Sequence, residues 1–182
     1  YFGAGYDIGG GVNTWVQLDN ISHSDGDSYT LYKDEQGQEK FDLENMPIGQ
    51  ELASELIINR FGTILQDVQI SGAKSKKVLS KQSKNTHIKI KTFEGIVGNV
   101  IAFKHDDIAY ASFEFSYEEE IGSINNEEEV KDEDIKKFIA NLNSDTKNWW
   151  FEIPEFKYDI IKRRLNTITR DIQSTSPEEL TE

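Results

Sequence analysis

The sequence contains no cysteine, and this absence removes several kinds of site at once. A disulfide framework, a thiolate zinc site, an iron–sulfur cluster and a cysteine nucleophile all require the thiol group. Hydrophobic runs are also short, because the longest nearly apolar stretch, 96–103, is interrupted by Gly98 and Asn99. We therefore predict no transmembrane segment.

Recognisable cofactor and catalytic motifs are missing as well. A phosphate-binding loop places its glycines between a strand and a helix, whereas the glycines of 3–11 precede a predicted strand. The sequence has no Gly-x-Ser-x-Gly element of the kind that carries a hydrolase nucleophile. We therefore predict no cofactor, and a hydrolase is the alternative with the least support.

Length and composition predict one folded domain. The chain has 182 residues, and aromatic side chains, at 11% of the total, supply core volume. We expect a flexible glycine-rich leader over 1–11, a single domain over 12–173 and a frayed tail over 174–182. The first residue, Tyr1, is interpreted as a processed or truncated end, from which any signal or anchor is already absent. The compartment stays open, cytoplasmic or extracytoplasmic in a bacterium.

Alternation of apolar and polar residues predicts strands. Three segments, 86–93, 96–104 and 108–117, are separated by turns so short that only antiparallel neighbours can form. The last of them should have one buried and one solvated face. Further strands are predicted at 12–18, 28–33, 39–43 and 63–71.

Helical spacing of apolar residues predicts helices over 50–61, 132–143 and 155–172. In the second helix, the expected buried stripe is formed by Ile135, Phe138, Ile139 and Leu142. The order of elements predicts an α+β fold: a mainly antiparallel sheet of about six to seven strands, with helices packed on one face.

Charge is distributed unevenly along the chain. The net charge is −13, yet seven lysines and no acidic residue lie between Gly72 and Lys91. This segment lacks the arginine and aromatic residues that nucleic-acid contacts use, so we predict no nucleic-acid partner. It is interpreted as a solvated loop, or as a patch for an acidic protein or a lipid head group.

The acid-rich segment 118–133 is predicted to be a linker or an exposed loop and is a candidate surface for a basic protein. Its candidate binding residues are Glu118, Glu119, Glu120, Glu127, Glu128 and Glu129.

Two further clusters have alternative interpretations. Trp149, Trp150 and Phe151 form either a binding hot spot or a loop that closes one end of the sheet. Three adjacent rings cannot all enter one core, so at least one should lie at the surface. His23, Asp25 and Asp27 are weak candidates for Ca²⁺ ligands, but they lack the spacing of an EF-hand loop. A polar turn is the simpler explanation, and we predict no metal.

These observations favour a binding protein over an enzyme. The predicted function is that of a non-enzymatic inhibitor of the toxin–immunity type, whose acidic surface neutralises or occupies a basic protein partner. The alternative is a structural or adaptor subunit of a bacterial secretion, phage or cell-surface assembly. Such a subunit would dock through a sheet edge or through the Trp149–Phe151 cluster.

Overall fold

The computed structural model describes residues 16–35, 37–118 and 126–172, except the side chains of Leu18 and of 126–132. The predicted leader (1–11) and tail (174–182) lie outside these residues. The main sheet consists of β1 (Val16–His23), β2 (Ser28–Tyr32), β3 (Asp42–Leu43), β5 (Gly72–Ser75), β6 (Thr86–Thr92), β7 (Ile96–His105), β8 (Ile108–Tyr117) and β9 (Trp149–Glu152). Its order is β3-β2-β1-β6-β7-β8-β9-β5. All neighbours in it are antiparallel.

The predicted meander of three strands is confirmed. β6 pairs with β7, which pairs with β8 along its whole length from Ile96 to His105. Gly95 closes the first turn with a φ of +84°. The second turn is Asp106-Asp107, with φ angles of 50° and 61°, as a two-residue hairpin turn requires. The strand predicted at 28–33 is found as β2, and it pairs with β3, which covers only the last two residues of the strand predicted at 39–43.

Helices and a second, small sheet complete the described fold. The helices are α1 (Glu55–Asn59), a 3₁₀ helix (Phe61–Thr63), α2 (Asn126–Thr146), α3 (Glu155–Ile161) and α4 (Leu165–Ile168). The small sheet pairs β4 (Gln50–Leu52) with β10 (Thr169–Asp171). None of the helices in the described ranges has both the length and the apolar character to cross a membrane.

The helices bury one core against one face of the main sheet, as predicted. The sheet contributes alternate residues of its strands, and the helices contribute isoleucines. Core residues include Ile21, Leu31, Ile88, Ile90, Val100 and Phe113 from the sheet, with Ile58, Ile135, Ile139, Ile161 and Ile168 from the helices. The predicted burial of Phe138 is wrong, because its side chain is 50% exposed. The α2 stripe is therefore narrower than its sequence suggests.

An asparagine of α2 protects part of the edge of β8. β9 pairs with β8 only at Tyr110 and Ala111. Farther along, the Phe115 N–H donates to Asn143 Oδ1 at 2.8 Å, and Asn143 Nδ2 donates to the Phe115 carbonyl at 2.6 Å. One side-chain amide thus replaces a neighbouring strand and satisfies backbone groups that would otherwise form an open edge.

The prediction that 118–133 is a linker or loop is wrong for its second half. α2 begins at Asn126, so 127–129 are helical, and it ends three residues later than predicted. Glutamate is a good helix former, and carboxylates near a helix N-terminus interact favourably with the helix dipole. The acid-rich sequence therefore lengthens the helix instead of preventing it.

Two predictions for 50–71 are also wrong. Residues 50–52 form β4, because they pair with β10 from more than a hundred residues away, and only 55–59 are α-helical. The predicted strand at 63–71 is absent: Thr63 ends the 3₁₀ helix, and turns follow. A pairing with a distant strand is invisible to helical periodicity, which explains the first error.

The predicted helix over 155–172 is broken after Ile161. The Arg163 carbonyl accepts hydrogen bonds from His23 Nε2 at 2.9 Å and from the Tyr29 hydroxyl at 2.8 Å. Arg164 is extended, with φ −100° and ψ 155°, and its guanidinium is held by Asp25. Hydrogen bonds that join residues 163 and 164 to the β1–β2 hairpin therefore replace those of the next helical turn.

Candidate functional site

Trp149, Trp150 and Phe151 lie in β9, between β8 and β5, and do not form a loop. Because side chains alternate across a strand, the three rings separate. Trp149 is 41% exposed, whereas Trp150 is 4% exposed. Phe151 packs on the main core, 6.1 Å from the ring of Phe113. The prediction of at least one surface ring is confirmed, but the three rings do not form one apolar patch.

Trp150 belongs to a second cluster on the face opposite the helices, with Leu79, Phe103 and Tyr110. The rings of Trp150 and Phe103 meet edge to face at 4.7 Å, and Trp150 Nε1 donates to the Leu79 carbonyl at 2.7 Å. The predicted solvated face of β8 is therefore wrong at this end, where Tyr110 and Ser112 are buried.

Leu79 belongs to the connection from β5 to β6, residues 76–85, which we call the lysine flap. Lys76 Nζ lies 5.0 Å from the ring centre of Trp150, and Lys74 Nζ lies 5.3 Å from that of Tyr110. Burial lowers the pKa of Lys76. The lysine-rich segment is thus packed at its beginning, since cations over aromatic faces are stabilised there.

Only one of the six candidate glutamates has a described environment. Glu118 lies between two lysines of β6, with Oε1 3.1 Å from Lys89 Nζ and Oε2 3.5 Å from Lys91 Nζ. The hydrogen bond and charge of Lys89 lower the pKa of Glu118, and Lys91 adds to the effect. This carboxylate is already neutralised within the chain. Glu119 and Glu120 lie outside the described residues, as do the side chains of Glu127, Glu128 and Glu129.

The candidate metal ligands are used in other contacts. Asp25 binds Arg164 through two hydrogen bonds of 2.8 and 2.6 Å, and Asp27 lies 3.7 Å from the same guanidinium. The hydrogen bond to Arg164 lowers the pKa of Asp25 to about 2. His23 is buried, with Nδ1 2.9 Å from the Thr86 hydroxyl. Its ring and the two carboxylates therefore hold the hairpin against the α3–α4 break.

No group of three or more histidine and acidic side chains in a metal-binding arrangement occurs among the residues that the structure describes.

Sequence reasoning missed a second acidic surface, which we call the acidic end: residues 34–55, from the β2–β3 loop to the start of α1. It has seven carboxylates and one lysine, and all seven carboxylate residues are exposed. The lysine, Lys40, forms an ion pair of 2.6 Å with Glu55. The carboxylates are Asp34, Glu35, Glu39, Asp42, Glu44, Glu51 and Glu55. This count could have been read from the sequence.

The acidic end also exposes apolar side chains. Within it Ile48 is an exposed large hydrophobic residue. Two more lie beside it: Leu56, which directly follows Glu55, and Ile172, whose N–H donates to the Gly49 carbonyl at 2.9 Å. A shallow pocket of ≈ 440 Å³ lies beside this surface. Its lining consists of Asp27, Pro47, Gln50, Arg164, Leu165, Asn166 and Thr169.

A buried carboxylate on β1 is a further feature that sequence reasoning missed. Asp19 is fully buried on the helix-covered face, and neither of its oxygens has a hydrogen-bond partner. Lys33 is also buried, with Nζ 4.6 Å from the ring centre of Phe41. Burial raises the pKa of Asp19 to about 7, and the charge of Lys33 opposes that rise.

Comparisons with protein families, with curated proteins and with solved structures give no match for this chain.

Proposed function

We propose that this protein is a non-enzymatic binding protein that occupies a basic protein partner through its acidic end. The main support for this proposal is the number of exposed carboxylates in the acidic end, where the one lysine, Lys40, is already paired with Glu55. Asp34, Glu35 and Glu39 form no ion pair with any described residue. Exposed charges of one sign repel one another, and a basic partner relieves that repulsion.

The exposed aliphatic residues of the acidic end support the same proposal. Protein interfaces commonly combine an apolar centre with a polar rim. Exposed apolar area is supplied by Ile48, which lies between Glu44 and Glu51 in the sequence, and by Leu56, which directly follows Glu55. Such side chains contribute affinity by burial, while the carboxylates select a basic partner and speed its approach.

A test can use matched charge variants as bait in a lysate of the source organism. Glu35→Gln/Glu39→Gln/Glu44→Gln removes three exposed charges of the acidic end. Asp106→Asn/Asp107→Asn/Asp145→Asn removes three elsewhere and is the control. The wild type and the control should retain the same basic protein, identified by mass spectrometry, and the acidic-end variant should lose it.

Kinetics with the purified partner then test the electrostatic part. Raising salt from about 50 to about 500 mM should slow association several-fold and change dissociation much less, because screening shortens the range of the charges. Equal retention by the acidic-end variant, or an acidic partner, contradicts the proposal.

The adaptor alternative retains one supporting observation, the exposed ring of Trp149 at the end of β9. Beside it, β5 is an edge strand of the sheet. If association is indifferent to salt and Trp149→Ala alone abolishes the complex, docking through this edge replaces docking through the acidic end.

A further inference from the structure

The face of the main sheet opposite the helices, which we call the open face, is mostly polar. Its side chains alternate with those of the core, so that His87 and Lys89 lie between buried neighbours on β6. Asn20 Nδ2 donates to the Thr30 hydroxyl at 2.9 Å, and His87 Nε2 lies 3.3 Å from Asn99 Oδ1. Within the described ranges, every buried aliphatic residue of the helices belongs to the core on the other face.

The open face is also where the lysines of the chain collect. The lysine flap packs on it through Leu79 and the Trp150 ring, and β6 continues from the end of the flap. Lys77, Lys81 and Lys84 are exposed and form no ion pair with the described residues. The flap that packs on this face therefore carries three exposed lysines with no ion-pair partner among the described residues.

Glu118 shows how two other lysines of this face, Lys89 and Lys91, bind a carboxylate. Each of its oxygens lies near a different lysine of β6, with Lys89 on one side and Lys91 on the other. Alternate residues of one strand lie about 7 Å apart. A carboxylate can therefore bridge them, and a row of carboxylates could continue from β6 toward the flap.

We propose that the open face binds an acidic segment of another protein. A polypeptide fits better than a nucleic acid, because 72–91 has no arginine for bidentate base contacts and no aromatic ring for stacking. The group already bound there is a carboxylate. This surface is distinct from the acidic end and has the opposite charge, so the two proposals can fail independently.

The probe is a fluorescein-labelled peptide of ten glutamates, followed by fluorescence anisotropy at about 20 mM salt, where screening is weak. Lys77→Gln/Lys81→Gln/Lys84→Gln should weaken binding about tenfold, because each exposed ion pair contributes a small and similar amount. The control Lys137→Gln/Lys147→Gln removes two exposed lysines of α2 and the turn after it, and should change binding less than about twofold.

A second variant tests the role of Glu118. Glu118→Gln frees Lys89 and Lys91 from their internal partner. It should tighten peptide binding about two- to fivefold. Amide chemical shifts of the wild type should move along β6 and the lysine flap when the peptide is added.

Three results overturn the proposal. The first is no binding of the peptide at low salt, and the second is equal binding by the flap variant and its control. The third is tighter binding of a ten-nucleotide oligothymidylate than of the peptide at the same open face, which would make the partner a nucleic acid.

Discussion

The two faces of the main sheet are built from the same strands and differ in almost every other respect. On β6, Ile88 and Ile90 enter a core shared with four helices, whereas His87 and Lys89 face away from it. The helix-covered face is apolar along most of its width. The open face is apolar only around Trp150. Alternation within a strand thus places core side chains on one face and polar side chains on the other, and the buried Trp150 attaches the lysine flap to the polar face.

The largest expected effect is a loss of stability on removing the buried Trp150 ring. Trp150→Ala should lower the free energy of unfolding by about 3–5 kcal/mol, because a fully enclosed ring is removed and the Leu79 carbonyl loses its donor. Urea denaturation measures the loss. Trp149→Ala is the matched control, and with its ring 41% exposed it should cost less than about 1 kcal/mol.

If Trp150→Ala and Trp149→Ala lower the free energy of unfolding by equally small amounts, the second cluster does not stabilise the fold. The lysine flap would then have no firm attachment to the open face, and the position of its lysines would lose its structural basis. Hydrogen exchange of the amides of 76–85 offers an independent check, since a packed flap exchanges more slowly.

A second prediction concerns Asp19 on the helix-covered face. Because the folded-state pKa is about 7 against 3.8 unfolded, the folded protein binds more protons between these pH values. Its stability relative to Asp19→Asn should therefore be greatest below pH 4 and fall as the pH rises to about 7. The full change amounts to a few kcal/mol, at about 1.4 kcal/mol per pKa unit.

The charged and titratable neighbours of Asp19 are Tyr29 on β2 and Lys33, which directly follows that strand. Thermal melts of the wild type and of Asp19→Asn from pH 4 to pH 8 measure the difference in stability between the two proteins. The other carboxylates titrate in both proteins, so their contribution to this difference cancels. A constant difference across this range would show that Asp19 stays ionised beside Lys33. In that case Lys33→Met alone should destabilise the protein, because it leaves a buried carboxylate without its cation, whereas Asp19→Leu/Lys33→Met should be neutral or stabilising.

The sequence was informative where structure is local. Alternation and short turns predicted the meander from Thr86 to Tyr117, because neighbouring strands there are also neighbours in the chain. Long-range pairing was not predictable: β9 pairs with β5, and β10 pairs with β4. Nothing in the local pattern of either strand identifies its distant partner.

The same limit applies to the candidate sites. The acidic end could be counted along the chain, but the acid-rich run and the lysines gave no sign that Glu118 and β6 neutralise each other. Nor could the sequence show that Trp150 turns inward while Trp149 turns outward, because that depends on where β9 enters the sheet. Charge counts along a sequence therefore do not show which charges pair within the fold.

The smallest expected effect concerns Phe138, on the helix α2 that covers one face of the sheet. Phe138 fits the helical stripe of α2 as well as Ile139 does, yet Phe138 is 50% exposed and Ile139 is 7% exposed. Phe138→Ala should therefore cost less than about 1 kcal/mol, while Ile139→Ala should cost about 2–5 kcal/mol. Urea denaturation of both variants measures the contrast. A loss of about 3 kcal/mol or more for Phe138→Ala would mean that its ring is covered, and the helix side of the molecule would then be closed along the whole width of α2.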